Sequence, residues 1–267
     1  MESVSPQVQE APAQQPAASA EVVLEVEHLV KSFGENHVLQ DFSLQLHRGE
    51  NVVVLGKSGS GKSVLIKCII GLLQPDSGSI RVFGEEVTGL EHQELDELRA
   101  RVGFLFQSNA LYDSMTVREN LLFPLRRHWI NKTPAEEQAM VEEALQSVGL
   151  EQTQNMMPAE LSGGMRKRIG LARTLILKPD IILYDEPTTG LDPITAREIS
   201  QLILDVQARY TTSAIIISHD MNCVRITANR VALLVDGRCY QQGTYEELRH
   251  STDPVVREFF EGAVPRA

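Results

Sequence analysis

The stretch NVVVLGKSGSGKS, residues 51–63, joins a short apolar strand to a glycine-rich turn and to the start of an apolar helix. The segment 56–63 fits the pattern G-x-x-x-x-G-K-[S/T]. Glycines in such a turn let consecutive backbone N–H groups point at phosphate oxygens, and the helix dipole adds positive potential there. The stretch therefore predicts a phosphate-binding loop between a strand and a helix of an α/β fold.

Two side chains of this loop have separate expected roles toward a nucleotide. The Lys62 ammonium would reach the β- and γ-phosphates, and the Ser63 hydroxyl would be a ligand of Mg²⁺. The alternative is a flexible turn without a ligand, which the flanking strand and helix disfavour. A guanine-specific enzyme is excluded, because Asn131-Lys132 is followed by Thr133 and Pro134 and so lacks the guanine-reading N-K-x-D pattern. The predicted nucleotide-binding residues are Gly56, Lys57, Ser58, Gly59, Ser60, Gly61, Lys62, Ser63 and Val64.

Two acidic residues directly follow the apolar strand 181–184. Asp185 and Glu186 would emerge at the carboxyl end of that strand, where open α/β sheets bind ligands. Adjacent acids suit two roles, with Asp185 holding Mg²⁺ and Glu186 orienting or deprotonating the water that attacks the phosphate. The alternative is a solvated acidic turn before Pro187, and the phosphate loop in the same chain disfavours it.

Composition limits the classes of partner. The chain has 267 residues, 42% of them hydrophobic, and a formal net charge of −11. A disordered chain is excluded, and nucleic acid is disfavoured because phosphate backbones are bound mainly by surplus basic charge. The three cysteines are scattered, which predicts neither disulfides nor a zinc site. Residues 1–20 lack the features of a signal peptide and no apolar run reaches about 18 residues, so we expect a cytosolic chain that meets a membrane only through a partner.

Hydrophobic patterning divides the chain into an α/β part and a helical insertion near 110–165. Residues 1–20, rich in Ala, Gln and Pro, are predicted to be a disordered tail. A helix is expected to begin after Thr133, an N-cap followed by Pro134 and the capping-box Glu136. Two further runs, 181–184 and 214–217, are too apolar for a half-exposed sheet and predict buried parallel strands. Other strands are predicted at 22–33, 37–47, 51–55, 80–84, 102–107 and 231–235, helices at about 61–73 and 194–210, and mostly helical structure over 108–178.

Several short motifs narrow the fold to one family. They are Gln107, Leu161-Ser162-Gly163-Gly164-Met165, Asp185-Glu186, Gly190-Leu191-Asp192 and Ser218-His219-Asp220. With the phosphate loop, and in this order, they closely resemble the ATPase subunit of ABC transporters over residues 22–250. The resemblance implies a P-loop NTPase core of the ABC ATPase type, an N-terminal antiparallel β subdomain and an inserted helical subdomain at about 108–178. It implies an ATPase domain at 21–262 and a C-terminal tail at 263–267.

The resemblance also implies ATP and Mg²⁺ as cofactors and a second copy of the chain as partner. Ser162 and Gly164, in the signature segment 161–165, would complete the γ-phosphate site of that copy, so that two ATP molecules lie between subunits arranged head to tail. Gln107 would contact Mg²⁺ or water and sense the membrane partner, while His219 would contact the γ-phosphate and position the attacking water. The implied catalytic residues are Glu186, His219 and Gln107. The implied metal ligands are Ser63, Gln107 and Asp185. Asp192 would communicate across the dimer, and the ring of Phe33 would stack on adenine.

Plainer alternatives remain open for some of these residues. His219 taken alone would fit a capping or surface histidine, which the accompanying motifs disfavour, and Phe33 would also fit a core residue. The cations that follow the signature segment read as a solvated helix face, although Arg166 or Lys167 could lie near phosphate. Met165 replaces the Gln most common at the end of the signature, which removes an amide but leaves the phosphate-contacting Ser162 unchanged.

The Met-ended signature and the segments 107–126 and 253–262 resemble the ATPases of MCE-type phospholipid transport systems. That branch implies a transmembrane permease and an MCE-domain protein as partners, and a peripheral position at the cytoplasmic face of the inner membrane. Segment 107–126 would face the permease. Its apolar residues would either form part of that contact surface or pack in the core of the helical subdomain; they are Leu111, Tyr112, Leu122 and Phe123. The alternatives are the ATPase of a polar-solute importer and a soluble, non-transport ABC ATPase.

Overall fold

The computed structural model describes residues 21–128 and 130–261. The predicted tails 1–20 and 263–267 lie outside these residues. The described strands are β1 (Val22–Phe33), β2 (Asn36–His47), β3 (Asn51–Leu55), β4 (Ser77–Val82), β5 (Glu85–Glu86), β6 (Val102–Leu105), β7 (Ile181–Asp185), β8 (Ser213–Ser218), β9 (Arg230–Val235) and β10 (Arg238–Gly243). Together they form one sheet in the order β5-β4-β1-β2-β10-β9-β3-β8-β7-β6.

Helices connect these strands and pack on them. They are α1 (Lys62–Ile69), α2 (His92–Arg101), α3 (Val117–Arg127), α4 (Pro134–Ser147), α5 (Gly163–Leu175), α6 (Pro193–Tyr210), α7 (Met221–Thr227), α8 (Tyr245–Arg249) and α9 (Pro254–Glu261), with short 3-10 turns at Val87–Gly89, Glu151–Thr153 and Pro158–Glu160. Among the helices of the described residues, none is long and apolar enough to cross a membrane.

The core of the sheet is parallel, as the apolar runs predict. Strands β6, β7, β8, β3 and β9 pair in parallel with one another. Alternate residues of β3 enter two different apolar clusters: Val53 and Leu55 pack in one, and Val52 and Val54 in the other. Both faces of the sheet are therefore buried, which is the arrangement of a parallel sheet covered by helices.

The N-terminal strands form the predicted antiparallel part. Strand β1 pairs antiparallel with β2 and with β4, and β4 pairs with the short β5. This part meets the parallel core where β2 lies beside β10, with Asp41 opposite Arg238. At Gly237 the approach is close, because a Cβ there would stand 2.7 Å from the Val38 carbonyl oxygen.

The segment between Val117 and Leu175 is mostly helical, as predicted. Thr133 caps α4, and its hydroxyl and the Glu136 carboxylate form the predicted capping box. In the segment predicted to face a permease, Leu122 is buried and belongs to the core, so the packing interpretation is correct for this residue. Tyr112 is exposed, with its ring centroid 4.6 Å from that of Phe123. The domain and subdomain boundaries remain predictions.

Some predicted element ends are wrong. The helix expected over 61–73 ends at Ile69, because the amides of Leu72 and Leu73 both turn back to the Lys67 carbonyl oxygen. Strand β4 lies at 77–82 instead of 80–84, since Phe83 adopts a left-handed turn conformation. Strand β6 ends at Leu105, so Gln107 stands on the loop beyond it. Helices α2, α7, α8 and α9 and strands β5 and β10 had no sequence prediction.

A buried ion pair joins the antiparallel and parallel parts of the sheet. It lies at the sheet edge opposite to the one where the Gln107 loop begins. Glu50, which follows β2, is 2% exposed, and its carboxylate accepts hydrogen bonds of 2.7 and 3.0 Å from Nε and Nη2 of Arg230 on β9. The backbone N–H of His47 adds a third at 3.0 Å. Burial by itself would raise the pKa of Glu50, but these hydrogen bonds outweigh it, so the pKa lies below its ordinary value.

Replacing this carboxylate is expected to destabilise the fold. Glu50→Gln leaves the guanidinium without its counter-charge and should lower the free energy of unfolding by about 3 kcal/mol at pH 7. Because the pKa of Glu50 is depressed in the folded state, the stabilisation that its carboxylate contributes is complete above the ordinary carboxyl pKa of 4.5. This stabilisation is lost as the pH falls from 4.5 through the folded-state pKa. Urea unfolding at pH 7 and pH 4 measures both effects. Glu21→Gln, which breaks the exposed pair with Arg48, is the control and should leave the midpoint nearly unchanged.

Candidate active site

The glycine-rich loop lies between β3 and α1, as its motif predicts. Gly61 is the N-cap of α1 and has a φ of +102°. A Cβ at this position would stand 2.8 Å from Cγ1 and 3.1 Å from the carbonyl oxygen of Val38 on β2. Both the backbone conformation and the contact with β2 therefore require glycine here.

Lys62 is buried at the base of the loop. Its ammonium donates hydrogen bonds to the carbonyl oxygens of Gly56 at 2.7 Å and Lys57 at 2.9 Å. Burial lowers the pKa of Lys62, and the negative charges of Glu186 and Asp185 oppose that change. The loop thus holds a desolvated cation between its own carbonyl groups and the two acidic residues that follow β7.

A hydroxyl and a carboxylate meet beside this cation. Ser63 Oγ donates to Oδ1 of Asp185 at 3.2 Å. Burial raises the pKa of Asp185, the nearby charge of Glu186 raises it further, and the Ser63 hydrogen bond opposes both. Mg²⁺ is bound in nucleotide sites by one or two protein oxygens together with phosphate oxygens and water. This pair supplies oxygens of that kind at the mouth of the loop, so the predicted metal ligands Ser63 and Asp185 fit Mg²⁺.

Glu186 is held in a fixed position at the end of β7. Its N–H donates to the Ile217 carbonyl oxygen at 3.0 Å, and its φ of +51° is in the left-handed region, which costs a non-glycine residue about 1–2 kcal/mol. Its Oε2 lies 2.8 Å from Nδ1 of His219 and accepts a hydrogen bond of 3.3 Å from Thr189. Strain of this kind is typical of sites that orient a reacting group.

A cavity of about 510 Å³ brings half of the predicted site residues together. Phe33 is 47% exposed at its rim, so the core interpretation of this residue is wrong. Val38 also lines the cavity, and only its position in the strand after Phe33 could have indicated it. The lining residues are Phe33, Val38, Ser58, Gly59, Gly61, Lys62, Ser63, Val64, Gln107, Glu186 and His219.

Other predicted residues lie outside this cavity. Lys57 contributes its carbonyl oxygen to Lys62, but its side chain pairs with Glu258 on α9 at 2.8 Å. The signature residues 161–165 are absent from the cavity lining in the described structure. Ser162 is exposed and is the N-cap of α5, where its Oγ accepts from the Met165 N–H.

Asp192, Met165 and Lys167 each have an unexpected feature. Asp192 caps α6 by accepting from the N–H groups of Ile194 and Thr195. The Met165 side chain packs against the larger apolar cluster, where an amide would lose its hydration. Lys167, expected on a solvated helix face, is 3% exposed. Local sequence carries no signal for that burial.

The groups that meet at one edge of the sheet define the class of protein. A phosphate loop with a buried lysine, a Ser–Asp pair suited to Mg²⁺ and a second carboxylate oriented by a histidine are the parts that P-loop nucleoside triphosphatases use. The sequence pattern of the ABC transporter family matches residues 39–189. The chain therefore belongs to the ABC transporter family, and it is an ATPase whose hydrolysis of ATP is coupled to transport.

Relatives that are named for different molecules are similar in sequence to this chain. The probable ribonucleotide transport ATP-binding protein mkl of Mycobacterium leprae is 44% identical, over 90% of this chain and 69% of that protein. The methionine import ATP-binding protein MetN of Rhizobium etli is 41% identical, over 85% and 63%. The chloroplastic protein TRIGALACTOSYLDIACYLGLYCEROL 3 of Arabidopsis thaliana is 37% identical, over 92% and 75%.

A solved structure supports the fold directly. The dimeric, post-hydrolysis structure of the ATP-binding cassette MJ0796 bound to ADP and Pi superposes with a TM-score of 0.74 and 30% identity. The match covers 83% of this chain and 98% of that one. The predicted P-loop core of the ABC ATPase type is thereby confirmed.

The close contact at Gly61 gives a test of the site. Gly61→Ala combines a strained φ with a clash against Val38, so we expect ATP affinity to fall by at least about tenfold, since one lost charged hydrogen bond costs about 1.5–3 kcal/mol. Gly84→Ala is the control, because Gly84 has a φ of +82° but no atom within 4 Å of an added Cβ. Titration with a fluorescent ATP analogue compares the two variants. Equal affinities would show that the β2 contact is unimportant.

Proposed function

We propose that the chain is the subunit that energises a membrane transporter by binding and hydrolysing ATP, with phospholipid as the cargo. The observation that carries the ATPase mechanism is the cavity where the loop around Lys62 faces a carboxylate, Glu186, held at 2.8 Å by His219. Each residue role below is part of this proposal.

ATP would bind with its phosphates on the loop 56–63 and its adenine against Phe33. The backbone N–H groups of the loop and the Lys62 ammonium bind the phosphates, and burial strengthens that electrostatic contact. Ser63, Gln107 and Asp185 would hold Mg²⁺, which would supply charge neutralisation at the phosphates.

Glu186 and His219 act on the attacking water. Glu186 orients the water and accepts its proton, because its carboxylate lines the cavity and is fixed there by two hydrogen bonds to Oε2, from Thr189 and with His219. His219 keeps Glu186 in place and contacts the γ-phosphate. Phosphoryl transfer depends mainly on such positioning and on charge stabilisation.

Two copies would bind two ATP molecules between them, head to tail. Ser162 is exposed at the start of α5 and lies outside the cavity of its own chain, which leaves it available to another copy. The N-terminus of α5 is a favourable place for a phosphate oxygen. The related cassette of known structure is dimeric. Asp192 would communicate across the same interface.

A permease would dock on the groove between the sheet and the helical segment. The groove encloses about 270 Å³ and exposes apolar side chains, with Leu72 51% and Phe106 36% exposed. Exposed apolar patches on a folded chain are typical of protein–protein contacts. Tyr112 would extend this surface, and the chain would be peripheral, at the cytoplasmic face of the inner membrane.

Phospholipid as cargo rests on the resemblance to MCE-type systems, through the Met-ended signature and the segments 107–126 and 253–262. One relative is named for a galactolipid, another for ribonucleotides and a third for methionine. Nucleotide-site residues contact ATP and not the cargo, so proteins with different cargoes can share them. The methionine importer supports the alternative of a polar solute as cargo.

Removing the carboxylate charge of Glu186 should separate binding from hydrolysis. Glu186→Gln is expected to slow phosphate release by about 10²- to 10⁴-fold, the usual contribution of a general base, while ATP still binds. In the presence of ATP, light scattering should then detect a dimer. Glu143→Gln, on α4 and paired with Lys178, is the control with the same change of charge. Full turnover of Glu186→Gln would remove this residue from its proposed role.

The proteins that co-purify with this chain test the proposal that its cargo is phospholipid. The tagged full chain is expected to co-purify from native membranes, in mild detergent, with a permease and an MCE-domain protein, and bound phospholipid should be detectable in that complex. A solute-binding protein in place of the MCE-domain protein would favour the polar-solute importer. No membrane protein, in a preparation shown to keep complexes intact, would contradict transport and favour the soluble ABC ATPase.

A further inference from the structure

The loop that carries Gln107 has an unfavourable backbone conformation. It follows β6, and two consecutive residues in it, Asn109 and Ala110, have φ values of +64° and +49°. Neither is glycine, so the left-handed conformation costs energy at both positions. A loop of this kind keeps its conformation only if contacts with the surrounding structure hold it.

Helix α5 supplies those contacts. Lys167 Nζ donates to the Gln107 carbonyl oxygen at 2.6 Å. Further along the same helix, Arg173 donates to the carbonyl oxygens of Ala110 at 2.7 Å and Asn109 at 3.0 Å. Three of the four residues in segment 107–110 are thus bound through their carbonyl groups by two cations of one helix.

Lys167 is the buried member of this pair of contacts. It is 3% exposed, and burial lowers its pKa while the charges of Asp185 and Glu186 oppose that change. A lysine is almost never buried to this extent unless its charge is compensated. Here the compensation comes from a backbone carbonyl of the Gln107 loop and from the two acidic residues of the active site.

We infer that Lys167 is a positioning residue, which fixes the Gln107 backbone to helix α5 so that Gln107 and the signature serine Ser162 move as one body. Ser162 is the N-cap of that same helix. A shift of α5 would therefore change two contacts together: that of Gln107 in its own cavity and that of Ser162 with the nucleotide of a second copy. This inference rests on the roles proposed above for these two residues.

The test is a double-mutant cycle on the full chain. Lys167→Met keeps the length of the side chain but removes its charge and donors. We expect kcat for ATP hydrolysis to fall by roughly 10- to 100-fold, the cost of misplacing a contact by about 1 Å, with the KM for ATP within about twofold. Lys167→Arg, which retains charge and donors, should recover most of the activity. Lys178→Met, at an exposed lysine just after α5, is the control and should behave like the unmodified chain.

The combination with Gln107→Ala decides the mechanism. If Lys167 acts through Gln107, adding Lys167→Met to Gln107→Ala lowers kcat by less than about twofold further. A full additional loss in the double variant would overturn the inference, as would unchanged kcat in Lys167→Met. If Gln107→Ala alone keeps full activity, the role proposed for Gln107 fails, and the inference fails with it. Thermal unfolding and ATP binding identify a misfolded Lys167→Met, in which case Lys167→Gln replaces it in the cycle.

Discussion

The register of three buried parallel strands determines the whole active site. Leu55 at the end of β3 lies opposite Ser218 on β8, and Asp185 at the end of β7 lies opposite Ile217. Because the three strands run in the same direction and end level, the phosphate loop, the acidic pair and His219 all begin at one sheet edge. A slip of one residue in either pairing would turn the following side chains to the other face of the sheet. The apolar packing on both faces holds the register and therefore the chemistry.

Charge in the interior of the site is balanced between two cations and two carboxylates. Lys62 belongs to the loop of the core, and Lys167 belongs to the helical segment, yet the same Asp185 and Glu186 compensate both. Each lysine would be costly to bury alone. The acidic pair thus has a structural function besides its proposed catalytic one, since it allows two separate parts of the chain to pack against one sheet edge.

Much of the fold and site was predictable because its signals are local. The strand, turn and helix around residues 51–63 are contiguous, and so are Thr133 with its capping box and the acidic pair after 181–184. Lys167 was not predictable, because its burial depends on a contact with Gln107, 60 residues away, and its neighbours in sequence are exposed or half-exposed. Strand β10 is half-exposed, and its polar sequence gives no clear alternation. The exposure of Phe33 likewise depends on how the β1–β2 hairpin lies against the loop.

Val38 touches two glycines that belong to different parts of the chain. Its Cγ1 and carbonyl oxygen border Gly61 in the phosphate loop, and the same carbonyl oxygen borders Gly237 before β10. In evolutionary terms the three positions form one unit, because a larger residue at either glycine requires β2 itself to shift. A β2 that shifted would carry Phe33 with it, through the hairpin it forms with β1. The small size of two glycines that are distant from the hairpin in the chain therefore helps to set the position of Phe33 at the cavity rim.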